Sequence, residues 1–179
     1  MNKNVLILSS SPRRKGNSDT LCDQFVLGVR HTGHVAEKIF LRDKKINHCT
    51  GCGVCFEGNK SCPQKDDMPE ILEKMVKADV IVMATPVYFY TMCGQMKTLI
   101  DRTCPRYTEL NNKAFYFIAT AAVTNKRALD RTFDEFRGFT DCLDNPTEKG
   151  VIYGAGVWNV GDIEGSNAME QAFEMGKTV

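Results

Sequence analysis

The chain has 179 residues, enough for one domain with a full core, and no apolar run approaches the roughly 20 residues of a membrane span. Its 23 Lys and Arg balance 22 Asp and Glu, a net charge of +1 with His neutral, which argues against nucleic-acid or membrane partners. Eight cysteines, with no signal-peptide shape at the N-terminus, point to a cytoplasmic protein whose thiols serve metal or redox chemistry rather than a disulfide framework.

Val5-Leu6-Ile7-Leu8 is a continuous apolar run, the pattern of a strand buried on both faces of a parallel sheet. Ser9-Ser10-Ser11-Pro12-Arg13-Arg14-Lys15-Gly16-Asn17-Ser18 follows, and then Leu21, Phe25 and Val29 recur on one helical face. A strand that runs through a hydroxyl-rich loop into a helix start makes an anion site. The first N–H groups of the helix lack internal partners, and the helix dipole is positive there. Ser9, Ser10, Ser11 and Ser18 each offer a hydroxyl, Gly16 can take a φ > 0 backbone, and Asn17 or Ser18 can cap the helix. Arg13, Arg14 and Lys15 add charge suited to a phosphate monoester. The alternative is a basic surface loop that caps a helix. Walker and Rossmann loops are excluded, since neither G-x-x-x-x-G-K-[ST] nor G-x-G-x-x-G is present. A tyrosine-phosphatase loop is excluded as well, because the first cysteine, Cys22, already lies in the helix.

His34 to Leu41 alternates around Val35, Ile39 and Leu41 and reads as an edge strand. Arg42 to Asp66 has no period, and a loop of that length in a compact domain is usually functional. Asp67 can cap a new helix with Glu70 closing a capping box, and Met68, Ile71, Leu72, Met75 and Val76 form its buried face. Val80 to Ala84 is a second buried strand, Thr85 to Tyr90 a loop, and Met96, Leu99 and Ile100 mark a short helix. Ala114 to Thr120 is a third buried strand, with Ala121 to Asn125 as its exit loop. Leu129, Phe133, Phe136 and Leu143 mark a long amphipathic helix, and Val151 to Tyr153 begins a short last strand. Ser166 caps a final helix with Met169, Ala172 and Phe173 inward.

Five strands alternating with five helices predict an α/β fold, a parallel sheet with helices on both faces and right-handed crossovers. It spans 1–179 as a single domain with a cysteine-rich insertion at about 42–66. The flavodoxin-like strand order 2-1-3-4-5 is the usual solution, with ligands at the carboxyl ends of strands one, three and four. Those ends are the loops Ser9–Ser18, Pro86–Tyr90 and Thr120–Asn125. Tyr88, Phe89 and Tyr90 suit a flat conjugated ligand, or else pack into the core or a subunit interface.

Ser10-Ser11-Pro12-Arg13-Arg14-Lys15-Gly16-Asn17-Ser18 resembles the G-S-P-R-x-x-G-N-[ST] loop of the NADPH-dependent FMN reductase family, with Ser10 where glycine is common. Thr85-Pro86-Val87-Tyr88-Phe89-Tyr90, with Gly94-Gln95-Met96-Lys97 and Asp101-Arg102, is similar to that family's second signature. The resemblance runs through essentially the whole chain. It implies a flavodoxin-like three-layer sandwich that binds FMN, with Ser11, Arg13, Asn17 and Ser18 on the phosphate and Ser9 beside them. Pro86, Val87, Tyr88 and Phe89 would line the ribityl chain and ring, and Ala121 and Ala122 the pyrimidine end.

Cys49-x2-Cys52-x2-Cys55-x6-Cys62-Pro63 is the sharpest local signal. Three cysteines at this spacing can wrap thiolates around one face of a cubane, with the fourth arriving from nearby. Gly51, Gly53 and Gly58 allow the tight backbone required. The motif resembles that of the iron–sulfur flavoproteins, a branch of the same family, which implies a [4Fe–4S] cluster. Zinc in a tetrathiolate site and free thiols stay open as alternatives. Cys22 and Cys142 read as small apolar helix residues, Cys93 and Cys104 lack ligand spacing, and His48 reads as a solvated loop histidine. Trp158 covers either a ligand pocket or a partner subunit.

These features predict an oxidoreductase whose chemistry sits on FMN, with no catalytic side chain. NAD(P)H or a reduced carrier gives electrons, and a quinone or flavin accepts them. By resemblance it is a homodimer or homotetramer. Two alternatives are a non-enzymatic electron carrier with a ferredoxin partner, and a module that binds zinc and a phosphorylated ligand.

Overall fold

The computed structural model describes residues 2–57 and 61–179, so Gly58 lies outside the described residues. Its strands are β1 (Asn4–Ser9), β2 (Val35–Phe40), β3 (Val80–Tyr88), β4 (Thr91–Met92), β5 (Ala114–Ala121) and β6 (Thr147–Ala155). The parallel sheet has the order β2-β1-β3-β5-β6, and the two-residue β4 pairs antiparallel with the end of β3. With β4 set aside this is the order 2-1-3-4-5 expected of five βα units. The fold is the flavodoxin-like α/β sandwich that the alternating elements predict.

Side chains alternate across the sheet, so each central strand feeds two cores. Leu6, Leu8, Ile81, Met83, Phe115 and Phe117 pack with α2 (Met68–Lys77), α3 (Gly94–Asp101) and α4 (Asp130–Thr140). Val5, Ile7, Val80, Val82, Tyr116 and Ile118 pack on the other face with α1 (Asn17–His31) and α5 (Asn167–Lys177). α1 and α5 meet almost backbone to backbone. A Cβ on Gly28 would sit 2.0 Å from the Phe173 carbonyl oxygen, and one on Gly176 would sit 2.4 Å from that of Phe25.

Several boundaries differ from the sequence pattern. The N-cap of α1 is Gly16 with no side-chain bond, so neither Asn17 nor Ser18 caps it. Asp67 stands at the N-cap of α2, but its carboxylate accepts from the Lys45 N–H, and Glu70 pairs with Lys74 instead of closing a box. β3 runs on through Tyr88 because Val87 and Tyr88 find partners in Met92 and Thr91. Leu129 and Leu143 flank α4 rather than lying in it, and β6 begins at Thr147. Ser166 is the N-cap of α5, yet its hydroxyl makes no cap bond. No helix among the described residues is long and apolar enough to cross a membrane.

Candidate functional site

A cleft opens at the carboxyl ends of β1, β3 and β5, where the strand order places a ligand. Ser11, Arg13, Asn17 and Ser18 form one wall, Pro86, Val87 and Tyr88 a second, and Thr120, Ala121 and Ala122 a third. Val157, Trp158 and Val160, from the loop after β6, add a fourth.

Ser9 and Ser10 stand behind the cleft, not in it. The Ser9 hydroxyl donates to Asp19 Oδ1 at 2.8 Å, and that of Ser10 donates to the Ala84 carbonyl at 2.8 Å. Asp19 also accepts from the Lys15 N–H at 3.2 Å and from Lys38 Nζ at 2.9 Å, so this buried carboxylate braces the loop from beneath. Burial pulls the Lys38 pKa down, but its hydrogen bonds to Asp23 and Asp19 outweigh that and raise it.

The loop's left-handed residue is Lys15, at φ 54°, whereas Gly16 sits at φ −65°. Glycine is needed there for space. A Cβ would come within 2.5 Å of Ser11 Oγ and 3.0 Å of the Arg13 carbonyl oxygen. Of the loop's three basic side chains only Arg13 lines the cleft. Arg14 is paired with Asp43 at 2.7 Å. Arg13 Nη1 donates to the Trp158 carbonyl at 2.9 Å, and Asn17 Nδ2 donates to that of Asn159 at 2.9 Å. Asp162 accepts from the Trp158 and Asn159 N–H groups at 2.9 and 2.7 Å and so shapes the loop opposite. The Ser18 hydroxyl lines the cleft, is buried, and has no hydrogen-bond partner. A buried polar group in that condition calls for a ligand. Together with the α1 N-terminus, Arg13 and the bare backbone at Gly16, it fits an anion such as a phosphate.

Tyr88 lines the cleft, but Phe89 does not and is 98% exposed. Phe89 and Tyr90 have φ 51° and 66° and make the two-residue turn between β3 and β4. Asn-Gly is the usual choice for such a turn, so two exposed aromatics here carry strain.

The cysteine loop forms a second cavity. Cys49, Cys52, Cys55 and Cys62 all line it, joined by Cys104, Asp101 and Arg102. All these thiols are free. Gly51 and Gly53, at φ 66° and 77°, make the expected tight turns. The Val54 N–H and the Thr50 hydroxyl hold the Cys52 thiol below its usual range. Burial, a hydrogen bond to Cys55 and the nearby charges of Cys55, Cys49 and Asp101 push the Cys104 thiol up to about 11. Among the described residues no three His, Cys, Asp or Glu converge on one point to hold a single ion. A cubane asks for a different arrangement, one thiolate at each iron corner around a shared cavity, and the four-thiol donor set fits it in kind.

α3 runs from the residues behind the cleft to the cysteine cavity. At its start Cys93 Sγ lies 3.1 Å from Ser10 Oγ, and the Cys93 N–H donates to Thr85 Oγ1 at 3.0 Å. Midway, His48 Nδ1 is 2.9 Å from Thr98 Oγ1, so His48, exposed as expected of a loop histidine, is also tethered to α3. At its end Arg102 bonds Asp66 and the Asn47 carbonyl. Eight residues make α3 about 12 Å long, running from behind the cleft, beside Ser10, to the cysteine cavity. Cys22 is buried in α1 as expected, whereas Cys142 is exposed beyond α4.

Comparison with known proteins fits this geometry. A family model for NADPH-dependent FMN reductase matches residues 3–143. An iron-sulfur flavoprotein of Methanocaldococcus jannaschii is 40% identical over 123 residues, which are 68% of this chain and 63% of that protein. One from Archaeoglobus fulgidus is 40% identical over 95 residues, 53% of this chain and 43% of that protein. The chain thus spans 43% to 63% of the length of these relatives. The NAD(P)H:quinone oxidoreductase from Methanothermobacter marburgensis superposes with a TM-score of 0.75 at 16% identity, covering 99% of this chain and 96% of that one, and shares the fold. Since the family match takes in the phosphate-type loop, the aromatic turn and the cysteine run alike, this chain belongs to the NADPH-dependent FMN reductase family.

Proposed function

We propose that this protein is an FMN-binding oxidoreductase that takes electrons from NAD(P)H or a ferredoxin-like carrier and delivers them to a small acceptor such as a quinone or flavin. The observation that carries this reading is the buried, unpartnered Ser18 hydroxyl beside Arg13 at the start of α1. Ser11, Arg13, Asn17 and Ser18 would hold the phosphate. Pro86, Val87 and Tyr88 would flank the ribityl chain and ring, with Ala121 and Ala122 at the pyrimidine end. Ser9 contributes indirectly, through Asp19. Phe89, turned to solvent, would meet a neighbouring copy in the proposed homodimer or homotetramer.

FMN bound in the cleft supplies the redox chemistry, in one- or two-electron steps. The protein's own part is to bind, orient and exclude water, the last through Val157, Trp158 and Val160. No side chain acts as nucleophile. A [4Fe–4S] cluster on Cys49, Cys52, Cys55 and Cys62 would exchange single electrons with the flavin across the length of α3. Support for the cluster comes from the thiol set and from relatives that bear the name iron-sulfur flavoprotein. The protein is read as one cytoplasmic domain over 1–179.

The test is a visible spectrum of protein purified without oxygen, with iron and sulfide assayed on the same sample. Flavin peaks, an iron–sulfur shoulder and about four irons per chain are expected. Flavin peaks alone would remove the cluster from the reading, and absence of both signals would overturn it entirely.

A further inference from the structure

Five thiols line the cysteine cavity, one more than a four-thiolate site needs. Cys104 enters it from the turn after α3, outside the C-x2-C-x2-C-x6-C run. It shares the cavity wall with Cys49 and Cys55. Cys62 and the Arg102 guanidinium line the same cavity. That guanidinium is fixed in place. It bonds Asp66 through both Nη atoms and the Asn47 carbonyl through Nη1, and its side chain is 1% exposed. Its Nε–H, likewise buried, has no partner. A thiol-lined cavity with an unused buried N–H donor in its wall is the setting of a thiolate-ligated centre, where such donors stabilise ligand charge.

We propose that Cys104 is a fifth ligand thiol of this cavity, able to replace Cys62 as the fourth ligand beside Cys49, Cys52 and Cys55. The exchange needs no rearrangement of α3, since Cys104 already lines the same cavity as the other four thiols. On binding, the thiol gives its proton to solvent and its sulfur to the metal. The inference rests on the reading of the cavity as a metal–thiolate site.

Wild type, Cys62→Ala, Cys104→Ala and the double variant are reconstituted without oxygen with ferrous iron and sulfide. Iron, sulfide and the electron paramagnetic resonance of the reduced sample are recorded, and FMN titration confirms that each variant is folded. Cys62→Ala is expected to keep about half of the wild-type iron or more, with an altered resonance line shape, while the double variant falls about tenfold or more. A Cys62→Ala protein that loses iron as fully as the double variant overturns the proposal. If wild type itself assembles no iron, the cluster reading fails and the proposal falls with it, a result distinct from iron that is lost only on mutation.

Discussion

Arg102 and Asp66 form an ion pair sealed from solvent, with Nη1 and Oδ2 2.6 Å apart and side-chain exposures of 1% and 0%. The pair ties the cysteine loop to the end of α3, and Asp66 also accepts from the Asn47 and Met68 N–H groups. Burial works to raise the Asp66 pKa, but the bonds from Arg102, Asn47 and Met68 outweigh it and hold the carboxylate low. A folded pKa below the unfolded one adds stability above the unfolded value of about 3.9, and that stability is lost as pH falls through the folded pKa. Asp66→Asn strands a buried guanidinium, which costs about 3–5 kcal/mol at neutral pH. Thermal melts should show a large gap from wild type at neutral pH that narrows in acid as wild-type Asp66 protonates. A gap that does not depend on pH would mean that the pair's charge is not what stabilises the loop.

The contact between α1 and α5 depends on Gly28 and Gly176. A methyl at either position collides with the backbone of the opposite helix, at 2.0 and 2.4 Å. Backbone cannot rotate away as a side chain can, so Gly28→Ala should cost about 3 kcal/mol, at the upper end of overpacking costs. The helix propensity gained by alanine, up to about 1 kcal/mol, offsets only part of this. Urea denaturation of Gly28→Ala beside Gly138→Ala checks it, since a Cβ at Gly138 meets nothing within 4 Å. Equal midpoints for the two variants would contradict the close packing.

Much of this architecture was legible in the sequence because uninterrupted apolar strands are stable only when both faces are covered. Val5 to Leu8, Val80 to Ala84 and Ala114 to Thr120 therefore fixed the sheet's centre, and the strand order then pointed to the cleft. The end of β3 was hidden by Pro86, which reads as a strand breaker, although pairing with β4 extends the strand past it. Val157 and Val160 gave no period in a glycine-rich stretch, and Asp162, which folds that stretch, looked like any surface acid. Ser9 looked like a phosphate donor, because sequence cannot show that Asp19 already takes its hydroxyl. Cys104 reads as lacking ligand spacing because spacing reports only neighbours in the chain, whereas the fold sets it in the same cavity as the cysteine run. The N-cap of α1 lies one or two residues before the Asn17 or Ser18 expected, because a steric requirement, not a side-chain bond, selects Gly16.

Phe89 and Tyr90 hold a strained turn while exposed to solvent, at φ 51° and 66°. A left-handed conformation costs an L-residue roughly 1–2 kcal/mol, which Asn-Gly avoids in such a turn. Replacing the pair by Asn-Gly should raise the melting temperature by several degrees and, since neither side chain lines the cleft, leave FMN affinity unchanged. Thermal melts beside a flavin titration check this, and weakened FMN binding would show that the aromatic turn shapes the cleft.

Ser18→Ala separates phosphate recognition from the rest of the cleft. Its hydroxyl is buried without a partner, so in the flavin-free protein its removal should leave stability unchanged or slightly improved. In the FMN complex the same hydroxyl would donate to the phosphate, a charge-assisted bond of about 1.5–3 kcal/mol, equal to roughly a tenfold to hundredfold loss of affinity. Riboflavin, which has no phosphate, should bind wild type and variant alike. Gly16→Ala should weaken FMN binding too, but by pushing Ser11 and the Arg13 carbonyl out of place, and so should also lower the melting temperature of the flavin-free protein. Fluorescence titration with both flavins, run beside thermal melts, distinguishes the two effects. If Ser18→Ala weakens riboflavin and FMN equally, the hydroxyl faces another part of the flavin and the phosphate must sit elsewhere on the loop.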